Sequence, residues 1–336
     1  MNRILVIQTA FLGDVVLTTP LFRALRRRFP EARLDVLVTP AAAPLVEEDP
    51  HLDEVLRYDK KGGERLGSVA RRLRGRGYDL IVAPHRSHRT ALLARWIGAV
   101  VRVGFRDAGL WWLYTRRVTR PAALHEVDRN LELLRGLGLH PEPEDRVLHV
   151  GYTEREVEEV ERVLAEAGGE AHEPLAALAP GSVWATKRWP AERFAEVGRG
   201  LQARGLRVVV LGGPDDRAVA EAVCAAVGAG AVNAAGKTSL KALAAWMDRV
   251  RLLVTNDSAP LHVAAARGTP TVAVFGATTL DLGFGPFHAA SRVVEAEVEC
   301  RPCGLHGGRR CRKGHFRCML EVAPEEVLEA CRELVR

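Results

Sequence analysis

Apolar positions fall into two alternating kinds along this chain: short continuous runs and sets at helical spacing. Residues 4–7 form a run of strand length, and residues 14–29 follow with Val15, Leu17, Leu21, Phe22 and Leu25 near helical spacing. That spacing predicts one helix, closed by Pro30. Residues 34–38 and 80–83 read as further strands. After residue 150 the pattern restarts. A charged helix is predicted over 154–167, strands over 175–178, 207–211, 252–255 and 271–275, and a helix over 191–203 that starts after Pro190. Such alternation implies parallel strands joined by crossover helices. The two series predict two doubly wound α/β domains. The glycine-rich, aperiodic stretch 168–174 is the expected linker, which puts the domains at 1–167 and 168–336. Ligands of such sheets bind outside the carboxyl ends of the strands, so the cleft between the halves is the expected site.

Composition agrees. A chain of 336 residues suits two domains, and 47% apolar with 27% charged residues is a globular balance. No apolar run approaches the roughly 20 residues that span a bilayer. The first apolar stretch stops at Gly13-Asp14 and lacks the features of a signal peptide, so it reads as the first core strand of a cytoplasmic protein.

Charge is uneven. Residues 1–150 carry 25 Lys and Arg against 18 Asp and Glu, a net +7, whereas residues 151–336 carry 23 against 24, a net −1. Clusters such as Arg26-Arg27-Arg28 and residues 71–76 would attract an anionic partner: a phosphorylated lipid, a membrane surface or nucleic acid. An arginine-rich composition on solvated helix faces gives the same count. Aromatic residues are 6% of the chain and do not interleave with those clusters, so a stacking platform for single strands, and with it a nucleic-acid partner, is not expected.

Three common enzyme signatures are missing. No Gly-x-Gly-x-x-Gly follows the first strand, no Gly-x-x-x-x-Gly-Lys-Ser/Thr occurs, and no Gly-x-Ser-x-Gly occurs. What remains lies after the strands. Gly13 allows a tight turn after the first strand, and Asp14 stands at a helix start, either as a general base or as a helix cap. Residues 179–190 join a strand to a helix through Ser182, Thr186 and Lys187, which suit phosphate oxygens but also fit a generic basic loop. Residues 254–262 pass from a strand into a helix near Ser258 and Ala259, whose start suits a pyrophosphate. Asp257 suits a ribose hydroxyl there, and His262 lies one turn on. Cys300, Cys303, Cys311 and Cys318 crowd the last part of the chain with His306 and His315, a spacing that permits a structural zinc site.

Taken in order, these segments resemble glycosyltransferase family 9, the ADP-heptose:lipopolysaccharide heptosyltransferases. The resemblance rests on four stretches: the opening strand with Leu12-Gly13-Asp14; Pro180-Gly181-Ser182 with Lys187-Arg188-Trp189-Pro190; Asn256-Asp257-Ser258 with His262-Val263-Ala264-Ala265-Ala266; and Gly314-His315-x2-Cys318. Residues 125–130, His-Glu-Val-Asp-Arg-Asn, add to it, and the type is that of heptosyltransferase II. The resemblance implies a GT-B fold of two Rossmann-like domains, the first for the acceptor and the second for the nucleotide sugar. It implies inverting transfer without a catalytic metal, from ADP-heptose to the phosphorylated inner core of lipopolysaccharide at the cytoplasmic face of the inner membrane. Asp14 then matches the base and Lys187 the phosphate-contacting lysine. Asp257, Ser258 and His262 match nucleotide-site residues. Ala259-Pro260 departs from the usual glycine and removes one N–H donor.

Overall fold

The computed structural model describes residues 1–169 and 173–335; residues 170–172 of the expected linker lie outside the described residues. The chain divides into two compact units, Met1–Gly151 and Tyr152–Arg336.

The first unit contains β1 (Arg3–Ile7), α1 (Leu12–Val16), α2 (Thr19–Arg28), β2 (Arg33–Val38), β3 (Glu54–Arg57), α3 (Leu66–Arg74), β4 (Leu80–Ala83), α4 (His88–Ile97), β5 (Val101–Phe105), β6 (Arg116–Val118) and α5 (Glu126–Glu132). The second contains α6 (Glu154–Glu166), β7 (Leu175–Ala179), α7 (Ala191–Gln202), β8 (Arg207–Val210), α8 (Arg217–Val227), β9 (Val232–Asn233), α9 (Ala242–Arg249), β10 (Leu252–Asn256), α10 (Ala259–Arg267), β11 (Thr271–Phe275), β12 (Ser291–Glu295), α11 (Arg317–Leu320) and α12 (Pro324–Leu334). Each unit has a six-stranded sheet, ordered β3-β2-β1-β4-β5-β6 in the first and β12-β11-β10-β7-β8-β9 in the second. Every neighbouring pair is parallel. In both, the first and fourth strands of the unit lie side by side in the centre. The order reverses there, which makes the carboxyl ends of β1 and β4, and of β7 and β10, the switch points where ligands of such sheets bind. This is the pair of Rossmann-like units of the GT-B fold.

Central strands are buried on both faces. That is why β1, β4, β7 and β11 read in the sequence as apolar runs, as do β2 apart from the buried Asp35 and β10 up to Thr255. β3, β5, β6 and β12 keep partly exposed or charged positions and carry no such signature.

Two expectations need correction. The single helix over 14–29 is two helices, broken at Leu17 and Thr18. Pro20 has no N–H for the Val16 carbonyl, and Thr19 Oγ1 donates to that carbonyl instead at 2.8 Å. Thr18 Oγ1 likewise donates to the Asp14 carbonyl at 2.8 Å. The division of the chain falls after Gly151, not after residue 167. Helix α6 belongs to the second unit because it packs on α9. There the Ser239 N–H donates to the Glu159 carboxylate at 2.7 Å, and the Tyr152 hydroxyl donates to Asp248 at 2.7 Å.

Trp246 of α9 is 1% exposed, and its indole N–H donates to Thr238 Oγ1 at 3.3 Å. Trp246→Ala is therefore expected to lower the unfolding free energy by about 3–5 kcal/mol, read as a shift of the urea midpoint. Among the described residues no helix is long and apolar enough to cross a membrane.

Candidate functional site

In the second unit the site is built at the carboxyl ends of β7 and β10. Asn256, last in β10, is buried and ties two loops together. Its amide donates to the Pro180 carbonyl at 2.8 Å and accepts the Trp189 N–H at 3.0 Å. This draws the segment after β7 against the start of α10. Lys187 Nζ then donates to Asp257 Oδ2 at 2.6 Å, and Thr278 Oγ1 donates to the same oxygen at 2.6 Å. All three side chains are buried, Lys187 at 9% and Asp257 at 5% exposure. Each charge compensates the other, so neither stands alone in a poorly hydrated place. An ammonium has three donors, and a phosphate oxygen reaching Nζ would share it with Asp257. Gly181 lets the Asp216 carboxyl approach closely: a Cβ there would lie 2.4 Å from it, so that side chain would have to shift.

Ser258 is the N-cap of α10, with its hydroxyl near the Asn256 carbonyl at 3.4 Å. Pro260 brings no N–H to the first turn, and the Leu261 N–H donates to the Ser258 carbonyl at 3.1 Å. Ala259 therefore carries the remaining N–H of that turn. His262 is buried one turn on. Ser182 is half-buried, and its carbonyl accepts from Arg188 Nε at 2.7 Å.

Thr186 is used differently from expectation. Its hydroxyl accepts the Gly308 N–H at 2.7 Å and donates to the Gly308 carbonyl at 3.1 Å. The threonine thus pins the cysteine-bearing segment beside the lysine. Arg301 fastens the same segment to the loop after β11 and to the end of β12, donating to the carbonyls of Gly276, Ala296 and Thr278 at 2.5, 2.6 and 2.9 Å. Within it, Cys300 Sγ lies 3.8 Å from His315 Nε2, and Cys303 Sγ donates to the Cys300 carbonyl at 3.4 Å. Backbone N–H groups, that of Phe316 foremost, hold the Cys311 thiol pKa down, and burial pushes that of Cys318 up to about 11. Among the described residues no group of three or more His, Cys, Asp or Glu is placed to hold a metal ion.

In the first unit Asp14 caps α1: its Oδ2 accepts the Phe11 N–H at 3.2 Å, and the side chain is half-buried. The Gly13 carbonyl accepts the Leu17 N–H at 2.9 Å, which closes that short helix. Across the switch point, at the end of β4, His85 Nδ1 pairs with Thr9 Oγ1 at 3.0 Å and with Thr90 Oγ1 at 3.2 Å. Lys60 Nζ donates to the Thr9 carbonyl at 2.7 Å. Burial, with Lys60 and Arg86 beside it, lowers the His85 pKa from 6.5 to about 4. The folded state thus holds His85 neutral where the unfolded chain takes up a proton. Stability gained from His85 is complete above pH 6.5 and is lost as pH falls towards about 4. His85→Gln is expected to flatten that part of the urea-midpoint-against-pH curve; an unchanged slope would contradict the assignment.

The sequence profile of glycosyltransferase family 9 (heptosyltransferase) matches residues 66–310. The chain belongs to glycosyltransferase family 9. It is 30% identical over 279 residues to lipopolysaccharide heptosyltransferase 3 of Escherichia coli strain K12, covering 79% of this chain and 80% of that protein. It superposes on a glycosyl transferase family 9 structure from Veillonella parvula DSM 2008 with a TM-score of 0.85 at 29% identity, covering 99% and 97% of the two chains. For the structure of E. coli ADP-heptose LPS heptosyltransferase II the TM-score is 0.81 at 25% identity, covering 99% and 98%.

As a family 9 glycosyltransferase the protein gathers Lys187 and Asp257 into one buried pair, with Thr186 adjacent in the chain and Ser258 following Asp257. Sequence reasoning missed Asn256 and Thr278 as organisers of that pair, and Thr9, Lys60 and His85 in the first unit. His85 had a usable signal, since it stands just beyond the carboxyl end of a central apolar strand. Lys60 had none, because its place beside Thr9 arises only from folding.

Proposed function

We propose that the protein transfers a heptose from ADP-heptose to the phosphorylated inner core of lipopolysaccharide, by a single inverting displacement that needs no catalytic metal. The observation that carries this reading is the buried Lys187–Asp257–Thr278 cluster at the β7–β10 switch point. It stands in a chain of the same family and fold as the E. coli ADP-heptose LPS heptosyltransferase II. The second unit holds the nucleotide sugar and the first holds the acceptor. The Asp14 carboxylate takes the proton from an acceptor hydroxyl, whose oxygen attacks the anomeric carbon. The bond from that carbon to the diphosphate breaks, and ADP leaves with the electron pair. Lys187, with the hydroxyl and N–H groups at Ser258 and Ala259, meets the charge that grows on the diphosphate. Asp257 holds the ammonium in place for that task, and Ser182, Thr186 and His262 shape the walls. Enzyme and acceptor meet at the cytoplasmic face of the inner membrane.

The test is incubation of purified protein with ADP-heptose and heptosyl-Kdo-lipid A, read by mass spectrometry. A mass gain of one heptose is expected. No gain with ADP still bound would show that donor or acceptor is another sugar.

A further inference from the structure

A dense share of the first half's positive charge lies in residues 86–120. Residues 86–120 carry eight arginines, no lysine and one acidic residue, Asp107, a net +7 equal to that of residues 1–150 as a whole. The Asp107 carboxylate is taken by Arg86 at 2.7 Å. The same stretch holds three of the six tryptophans. Trp96, Trp111 and Trp112 are 39%, 40% and 57% exposed, and Val100 is 80% exposed. Of the other three, Trp189 and Trp246 are each 1% exposed.

Folding places Trp111, Trp112, Arg116 and Arg117 on one flank beside α4, whereas Arg86, Arg106 and Arg120 follow the carboxyl ends of β4, β5 and β6, and Arg120 pairs with Glu126. Gly109 is packed against the His88 ring, at the start of α4. Farther on, Arg102 donates to the Leu113 carbonyl at 3.0 Å and to the Ala99 carbonyl at 2.6 Å, just beyond the end of α4. The 3-10 turn Trp111–Leu113 therefore runs alongside α4, down the flank that ends in the edge strand β6. The two indoles meet edge to face with centroids 6.0 Å apart. The Arg117 guanidinium lies 5.0 Å over the Trp111 ring and donates to the Tyr114 carbonyl at 3.2 Å. Arg116 and Arg117 are exposed on β6. Charges on an edge strand guard it against pairing with another edge. That purpose does not call for indoles in water.

We propose that this flank docks the protein on an anionic phospholipid bilayer, the indoles of Trp111 and Trp112 entering the headgroup layer and the arginines meeting lipid phosphates. Indoles settle at that depth because one edge is polar and the body apolar, and each arginine near an anionic surface adds to the attraction. The inference rests on the reading that the acceptor is a membrane lipid. A flank contact leaves the carboxyl edge of the sheet, with Asp14 and His85, open to a sugar chain rising from that surface.

The test is flotation with vesicles of phosphatidylglycerol and phosphatidylcholine, against phosphatidylcholine alone, with no lipopolysaccharide present. It can therefore succeed where sugar transfer fails, and the reverse. The intact protein is expected to float with anionic vesicles only, and less so at high salt. Trp111→Ala/Trp112→Ala and Arg116→Glu/Arg117→Glu should each lower partition about tenfold or more. Both should keep the thermal midpoint and ADP affinity, since the substituted side chains are exposed and lie in the first unit. Equal flotation of the folded variants and the intact protein overturns the proposal. So does loss of oligonucleotide binding in the variants with vesicle binding unchanged, which would make the partner a nucleic acid.

Discussion

Asp14→Asn is expected to lower kcat by about a thousandfold while leaving the affinity for ADP unchanged within about twofold. The substitution separates the cap that this carboxylate forms from the role of base proposed for it. Asp14 Oδ2 accepts the Phe11 N–H at the start of α1, and an asparagine Oδ1 accepts that bond equally well. Asparagine cannot take a proton from a sugar hydroxyl. A cap alone would leave turnover near normal in the variant; a base would not. The measurement is kcat by product mass spectrometry, with ADP affinity by calorimetry and the urea midpoint as the check on folding. ADP affinity should hold because the residues proposed to hold the nucleotide belong to the other unit. Turnover within about tenfold of the intact protein would remove Asp14 as the base, since general-base catalysis supplies at least about a hundredfold.

Lys187→Ala carries the second large effect, and it acts on both rate and stability. The ammonium donates to Asp257 Oδ2 at 2.6 Å with both groups buried. Removing it leaves the carboxylate with the Thr278 hydroxyl on that oxygen and no compensating charge. Breaking one side of a buried pair costs about 3–5 kcal/mol. On the proposed mechanism turnover should fall about a hundredfold to a thousandfold, because the donor assigned to the leaving diphosphate is lost. The two effects separate in the double variant Lys187→Ala/Asp257→Asn. Removing the orphaned charge should recover most of the urea midpoint and little of the rate. Recovery of both would mean that Lys187 serves only to neutralise Asp257.

Several features were legible before folding because they depend on local sequence. Central parallel strands are buried on both faces and so appear as apolar runs, and small or hydroxylic residues follow them wherever the chain turns over the sheet. Two doubly wound series and the motifs around Asp14, Lys187 and Asp257 could be read that way. The break at Pro20 was also local, but the periodic apolar residues on either side concealed it. Others depended on distance in space. The placement of α6 was set by Ser239 and Tyr152 bonding across the second unit, and no linker composition announces that. Asp35 looks like a polar interruption of a strand, yet it is buried and accepts from the Tyr78 hydroxyl at 2.6 Å, 43 residues away. The basic flank is not evident from the sequence because, Arg116-Arg117 apart, the arginines of residues 86–120 are spaced singly, and its tryptophans look like core residues until their exposure is known.

By itself, then, the sequence determined two α/β units and the residue types at each strand end, since those follow from local periodicity and turn chemistry, and the order of its motifs carried the resemblance to the family. Only the tertiary structure decided that Lys187 and Asp257 form a pair, that Thr186 holds a loop and that Trp111, Trp112, Arg116 and Arg117 share one flank beside α4. Those are contacts between segments far apart in the chain, and only packing brings them together.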